Sequence, residues 1–164
     1  MLSDTLTRVS WRSRPRSFVA LMGLYESNYV RLQWLTGDVR KLLTASARSN
    51  VNGDCPLHLD VLERSPYTTT LNLTYWFDSP PVALPDMTLR IYHDARLVEA
   101  LDWAPAHRHA PLQSMRIGAE RELDRRWARN MMLNKWLEYC VDRGHSFESL
   151  RSTRSGSPDP GGAR

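Results

Sequence analysis

Phe18, Met22, Tyr25, Tyr29 and Leu32 recur at spacings of 4, 3, 4 and 3, the repeat of one helical face, and predict a helix beginning at Ser17. Ser17 is the expected N-cap, because its hydroxyl can accept from a free amide of the first turn, and Gly37 is the expected stop. Asp38 is placed to cap a short second helix through Val39, Leu42 and Leu43, and Asn50 to Pro56 reads as a loop.

The period then changes to two. Leu57, Leu59 and Val61 alternate with His58 and Asp60, and Leu71, Leu73 and Tyr75 alternate with Thr70, Asn72 and Thr74. A loop of Ser65-Pro66-Tyr67 sets Val61 against Leu71, Leu59 against Leu73, Leu57 against Tyr75 and Asp60 against Asn72. Slipping that register by one residue would bury the polar face, so the pattern fixes it. A second hairpin turns at Asp94-Ala95, with Ile91 facing Val98, Leu89 facing Ala100, Arg90 facing Glu99 and Tyr92 facing Leu97. Alanine does not favour the left-handed conformations of the tightest turns, so a slightly longer loop fits the tip. Between the hairpins, Ser79-Pro80-Pro81 and Pro85 are expected to break the chain and limit pairing.

Residues 104 to 113 read as a loop, and helical spacing returns from about Ala119 to Asp142, with Gly144 as its stop. Asn130, Leu133, Leu137 and Cys140, flanked by Met132 and Trp136, form its buried face. A polar residue on a buried stripe needs partners, so Asn130 is expected to tie this helix to the sheet or to a loop. Trp127, Met131, Met132 and Trp136 spread wider than one buried stripe requires, which points to a partner or a second copy. The fold class is therefore α+β: an antiparallel sheet of about four strands in two hairpins, with an N-terminal and a long C-terminal helix packed on one face. The expected organisation is a flexible basic tail over 1–16, a single domain over 17–150 and a disordered tail over 151–164.

Charge changes the picture only at the ends. The net charge is +4, but residues 1–16 contribute +3 and residues 151–164 contribute +2, leaving the 17–150 body at −1. A body without a basic excess disfavours nucleic acid, except for weak attraction through the tails. No stretch approaches the roughly 20 apolar residues of a membrane helix. Cys55 and Cys140 lie far apart without metal-ligand spacing, so reduced thiols and a cytoplasmic location are expected.

Several short stretches carry a resemblance: Phe18-Val19-Ala20-Leu21-Met22 with Glu26-Ser27-Asn28-Tyr29; Glu63-Arg64-Ser65 with Tyr67-Thr68-Thr69; Leu84 through Ala95; and Asn130 with Trp136-Leu137-Glu138-Tyr139-Cys140. Together they resemble the YqiB-like family, a proteobacterial domain of unknown function, across roughly residues 17 to 145. The resemblance implies a small cytoplasmic bacterial protein and brings no established activity, cofactor or catalytic residue. Where the family pattern has an Arg-Asp-Glu-Lys stretch, this chain reads Leu123-Asp124-Arg125-Arg126, without the glutamate.

The candidate chemistry gathers at one end of the sheet. Alternation places Glu63 and Thr69 on the face of Leu59 and Val61, and His93 and Arg96 on the face of Leu89 and Ile91. If these are one core face, Glu63, Thr69, His93 and Arg96 form a polar rim with Tyr67 beside it, and Arg96 is the natural contact for an anion. Polar residues at hairpin ends also serve simply to cap backbone. His107-Arg108-His109 lacks a third ligand at a defined spacing, and neither a metal nor a cofactor is expected. The leading reading is a non-catalytic domain binding a protein partner or a small anionic ligand, with homo-oligomerisation open. The alternatives are a small enzyme acting on a phosphorylated or nucleotide substrate at the Glu63/His93/Arg96 rim, and weak nucleic-acid binding through the tails.

Overall fold

A computed structural model describes residues 17–78, 81–103 and 119–147. The two expected tails, the 104–113 loop with His107-Arg108-His109, and the Ser79-Pro80 link lie outside those residues. The first helix, α1, spans Phe18–Thr36; the Ser17 side chain accepts from the Ala20 amide and Gly37 closes it at φ 59°. The buried line of α1 is Leu21, Leu24, Tyr25, Asn28, Leu32 and Leu35, whereas Phe18 is 68% exposed. The expected stripe is thus offset, because an apolar tally passes over Asn28, which is wholly buried for its hydrogen bonds. Asp38 does act as a cap, accepting from the Arg40 amide, but the element it starts is a single 3-10 turn, Val39–Lys41.

The sheet contains five strands in sequence order, all neighbours antiparallel: β1 Ser46–Ser49, β2 Leu57–Arg64, β3 Thr68–Asp78, β4 Pro81–Tyr92 and β5 Leu97–Trp103. Strand β1 is the addition to the expected four; Ser-Ala-Arg-Ser carries too little apolar alternation to announce a strand. The registers of both hairpins are those the alternation requires: Val61 with Leu71, Leu59 with Leu73, Ile91 with Val98 and Arg90 with Glu99.

Two details depart from simple alternation, and both are bulges. Leu62 is an extra residue between the pairs Val61–Leu71 and Glu63–Thr70. The turn is correspondingly tighter than expected, since the Ser65 amide donates to the Thr68 carbonyl across Pro66-Tyr67. Farther along, Thr74 pairs with Asp86 and Trp76 with Ala83, so Leu84 and Pro85 together oppose Tyr75. Pro85 therefore marks a bulge inside a continuous β3–β4 pairing, where a residue without an N–H is tolerated.

One sheet face bears Leu57, Leu59, Leu71, Leu73, Met87, Leu89, Ile91, Val98 and Ala100, buried against Leu32 and Leu35 of α1 and Leu133, Trp136, Leu137 and Cys140 of the last helix, α2 (Ala119–Asp142). The helices run parallel: Asn28 meets Asn130, Ser27 meets Asn134 and Arg31 meets Glu138. Their first turns overhang β5, where Leu21, Leu24 and Tyr25 form a separate apolar cluster with Leu97, Leu123, Trp127 and Met131. Asn130 ties helix to sheet as its position predicts: Oδ1 accepts from the Ala100 amide at 2.8 Å and from Asn28 at 3.2 Å, while Nδ2 donates to the Arg126 carbonyl. Asn28 donates in turn to the Val98 carbonyl, so two buried asparagines cover the outer edge of β5.

Candidate functional site

The β2–β3 and β4–β5 turns lie together at one end of the sheet, joined by a hydrogen bond from the His93 amide to the Tyr67 carbonyl at 2.9 Å. Thr69 and His93 share the core face, as their parity requires. Thr69 Oγ1 and His93 Nε2 are 2.8 Å apart, and both residues are buried. Burial, followed by the nearby Arg40 guanidinium, lowers the His93 pKa from its ordinary value, so the ring is neutral at pH 7; Asp38 and Asp94 oppose that shift. A neutral ring whose Nε2 is engaged by Thr69 positions the hairpin tip.

Arg96 occupies the exposed end of the second tip with φ 55°, the left-handed region where a side chain is disfavoured. Its turn runs from His93 to Arg96, longer than the minimal Asp94-Ala95 corner. Tyr67 is 68% exposed at the neighbouring tip.

Glu63 is the predicted rim residue that does not arrive. The bulge at Leu62 flips the parity behind it, setting Glu63 opposite Thr70 on the outer face and Arg64 opposite Thr69 on the core face. Glu63 is exposed and accepts from the Ser65 hydroxyl. Arg64 instead reaches the 3-10 turn, donating to the carbonyls of Val39, Arg40 and Leu42 at 3.3 to 3.4 Å. That turn carries Arg40, whose Nε and Nη2 meet the two carboxylate oxygens of Asp38 at 2.9 and 3.0 Å. Glu63 thus leaves the rim and Arg64 enters it, while Asp38 and Asp94 remain near His93. Proline after Ser65 was the available sequence signal: Ser-Pro at the first two positions of a four-residue turn favours the tight closure, which displaces the extra residue to Leu62.

A second polar cluster, absent from any sequence motif, forms at the opposite end of the β2–β3 pair. His145 Nδ1 lies 3.0 Å from Ser49 Oγ, and His145 Nε2 lies 3.1 Å from Asp54 Oδ2. Asp54 also accepts from the Cys55 amide at 2.9 Å and from the Tyr75 hydroxyl at 3.0 Å, and Cys140 Sγ donates to Tyr75. Burial pushes the Asp54 carboxyl up, but the Cys55 amide, Tyr75 and His145 more than offset it, and its pKa is lowered. Burial pushes the Cys140 thiol up to about 12, so it stays protonated. The Ser-His-Asp order invites comparison with a catalytic triad. However, Ser49 is buried and its Oγ also accepts from the Ser146 amide, which makes the array a lock on the segment that follows α2. Phe147, fully buried, completes that lock by donating its amide to the Leu35 carbonyl. Among the described residues, no group of three or more His, Cys, Asp or Glu side chains is arranged to hold a metal ion, and no helix is long and apolar enough to cross a membrane.

The fold and tip geometry define a class first: an α+β domain whose antiparallel sheet is closed on one face by two parallel helices and presents paired hairpin tips at one end. The chain belongs to the family described as "Protein of unknown function (DUF1249)", whose model matches residues 31–146. It is similar to "Uncharacterized protein YqiB" of Escherichia coli strain K12, at 26% identity over 134 residues, covering 77% of this chain and 90% of the relative. The YqiB proteins of strains O157:H7 and CFT073 match to the same extent. No solved structure matches the chain. Glu63, Tyr67, Thr69, His93, Arg96 and Asn130 all fall within the matched segment.

Proposed function

We propose that this protein is a non-catalytic binding domain whose hairpin-tip end takes a partner or small ligand through an anionic group. The observation carrying this reading is the one-residue bulge at Leu62, which withdraws Glu63 from the rim and brings Arg64 to it. Arg40 and Arg96 stand near the same end, around a neutral His93 held by Thr69. Guanidinium groups recognise carboxylate and phosphate oxygens, and acid–base turnover at this rim would have to use Asp38 or Asp94, which stand near His93, in place of Glu63. Leu43, Leu62 and Tyr67, which are 70%, 60% and 68% exposed, flank this end and favour a protein or peptide as carrier of the anionic group. Two free cysteines are consistent with a cytoplasmic setting.

Arg96 supplies the test. Holding arginine in the left-handed region costs about 1 kcal/mol relative to glycine, an expense that a purely structural tip would avoid. Arg96→Gly is expected to hold or raise the melting temperature while abolishing the thermal shift given by inorganic phosphate, nucleotides or phosphorylated metabolites. A saturating ligand at about a hundred times its Kd adds roughly 2.7 kcal/mol, well within detection. If no anion shifts the wild-type chain, or if Arg96→Gly leaves the shift intact, this reading fails. Turnover of a phosphorylated substrate that is lost in His93→Gln would instead move the function to an enzyme.

A further inference from the structure

The two edges of the sheet are treated differently. At β5 the outward Val98 carbonyl and Ala100 amide are covered by Asn28 and Asn130. At β1 the Val61 amide donates to the Ala45 carbonyl at 2.6 Å, which makes Ala45 and Val61 a hydrogen-bonded pair. Alternation makes Ala47–Leu59 the next such pair and turns the N–H and C=O of Ser46 and Arg48 away from β2. The Thr44 hydroxyl meets the Ser46 carbonyl at 2.8 Å. Among the described residues, nothing meets the Arg48 amide or carbonyl or the Ser46 amide, and both residues are exposed. Such an edge accepts one kind of occupant, another extended backbone.

We propose that this edge is where two copies of the chain meet, pairing β1 antiparallel about a two-fold axis through Ala47. Ser46 of each copy then lies opposite Arg48 of the other, joining the two sheets into one continuous sheet. This register lets both outward residues of each strand exchange bonds at once. Centring the axis on Arg48 instead would set two guanidinium groups directly opposite each other. Charge complementarity favours a second copy over an unrelated strand. Ser46 pairs with Asp60 on its other side and donates to the Asp60 carboxylate at 2.6 Å. Arg48 of the second copy therefore stands one small residue away from that carboxylate, in the same cross-strand row. A two-fold contact satisfies both ends equally. A strand of four residues makes a small interface, so association is weak and concentration-dependent. This inference is independent of the hairpin-tip reading, since β1 and the anion rim use different residues.

The deciding experiment is sedimentation equilibrium of the full chain over a concentration series, paired with amide hydrogen exchange at Ser46 and Arg48. The expected result is a dimer fraction that rises with concentration while both amides become protected in step. Arg48→Pro removes an outward N–H without deleting a β1–β2 bond and is expected to remain monomeric with an unchanged circular dichroism spectrum. Asp60→Lys leaves every backbone group intact and is expected to weaken the dimer by charge repulsion, which covers the case in which the proline variant does not fold. A wild-type chain that stays monomeric with freely exchanging Arg48 overturns the proposal. So does protection of Arg48 that ignores concentration, or a dimer that survives both substitutions.

Discussion

Replacing Asn130 with alanine isolates how the helices are fastened to the sheet edge. The side chain is fully buried, and its Oδ1 accepts from the Ala100 amide at 2.8 Å. Alanine removes the polar atoms of residue 130 itself, so the cost falls on the partners left behind. The Asn28 amide keeps the Val98 carbonyl and the Arg126 carbonyl keeps its place within α2, but the Ala100 N–H has no substitute acceptor in the described structure. An orphaned buried donor costs about 1–3 kcal/mol. The small void adds about 1 kcal/mol. The better helix propensity of alanine returns about 0.5 kcal/mol. A net loss of about 1.5–3.5 kcal/mol is expected, read as a lower urea midpoint at constant slope. Amide exchange supplies the specific signature: Ala100 loses protection in Asn130→Ala. Asn134→Ala serves as the control, because Asn134 donates to Ser27 and Asn28 of α1 rather than accepting from the Ala100 amide. The reasoning is refuted if Asn130→Ala costs under about 0.5 kcal/mol with Ala100 exchange unchanged, or if Asn134→Ala exposes Ala100 equally.

Two further expectations concern acid. The lowered His93 pKa means that the native state prefers the neutral ring, so its stability is complete above the ordinary value of 6.5 and is lost as pH falls through the depressed native value. His93→Gln flattens stability against pH in that window, and an unchanged slope would show that the ring is not the group being titrated. Asp54 gives the same sign in a lower window: its pKa is also depressed, so its contribution is present above the ordinary value of 3.8 and disappears as pH falls through the native value. Asp54→Ala leaves Tyr75 and His145 without their shared acceptor and is expected to cost about 3 kcal/mol at pH 7. Equal urea midpoints for variant and wild type would refute the lock on the segment that follows α2.

The proposed binding rests on how one end of the sheet is furnished. The β2–β3 and β4–β5 turns are tied through Tyr67 and His93, and the 3-10 turn is clamped onto them by Arg64. The clamp matters because burial, and after it Arg40 riding on that turn, depresses the His93 pKa. The geometry of this end can therefore be altered from three segments of the chain.

Local periodicity determined much of this protein. The alternation of Leu57, Leu59 and Val61 against Leu71, Leu73 and Tyr75 fixed one register, and Ile91 with Val98 fixed another, because any slip would bury polar side chains. The need of Asn130 for partners was equally legible, since a polar atom on a buried helical stripe has few alternatives. Tertiary structure decided what a period cannot carry. The bulge at Leu62 inserts one residue without breaking any apolar pattern, yet it exchanges Glu63 for Arg64 at the rim. The offset buried face of α1 follows from where the helix overhangs β5, where Asn28 finds Asn130 and the Val98 carbonyl opposite it. Ser49 and Asp54 lie close together in sequence, but His145 joins them only because the segment after α2 is drawn back over the sheet. Periodicity records which side of an element faces the core; it holds no information about which remote polar groups then find one another.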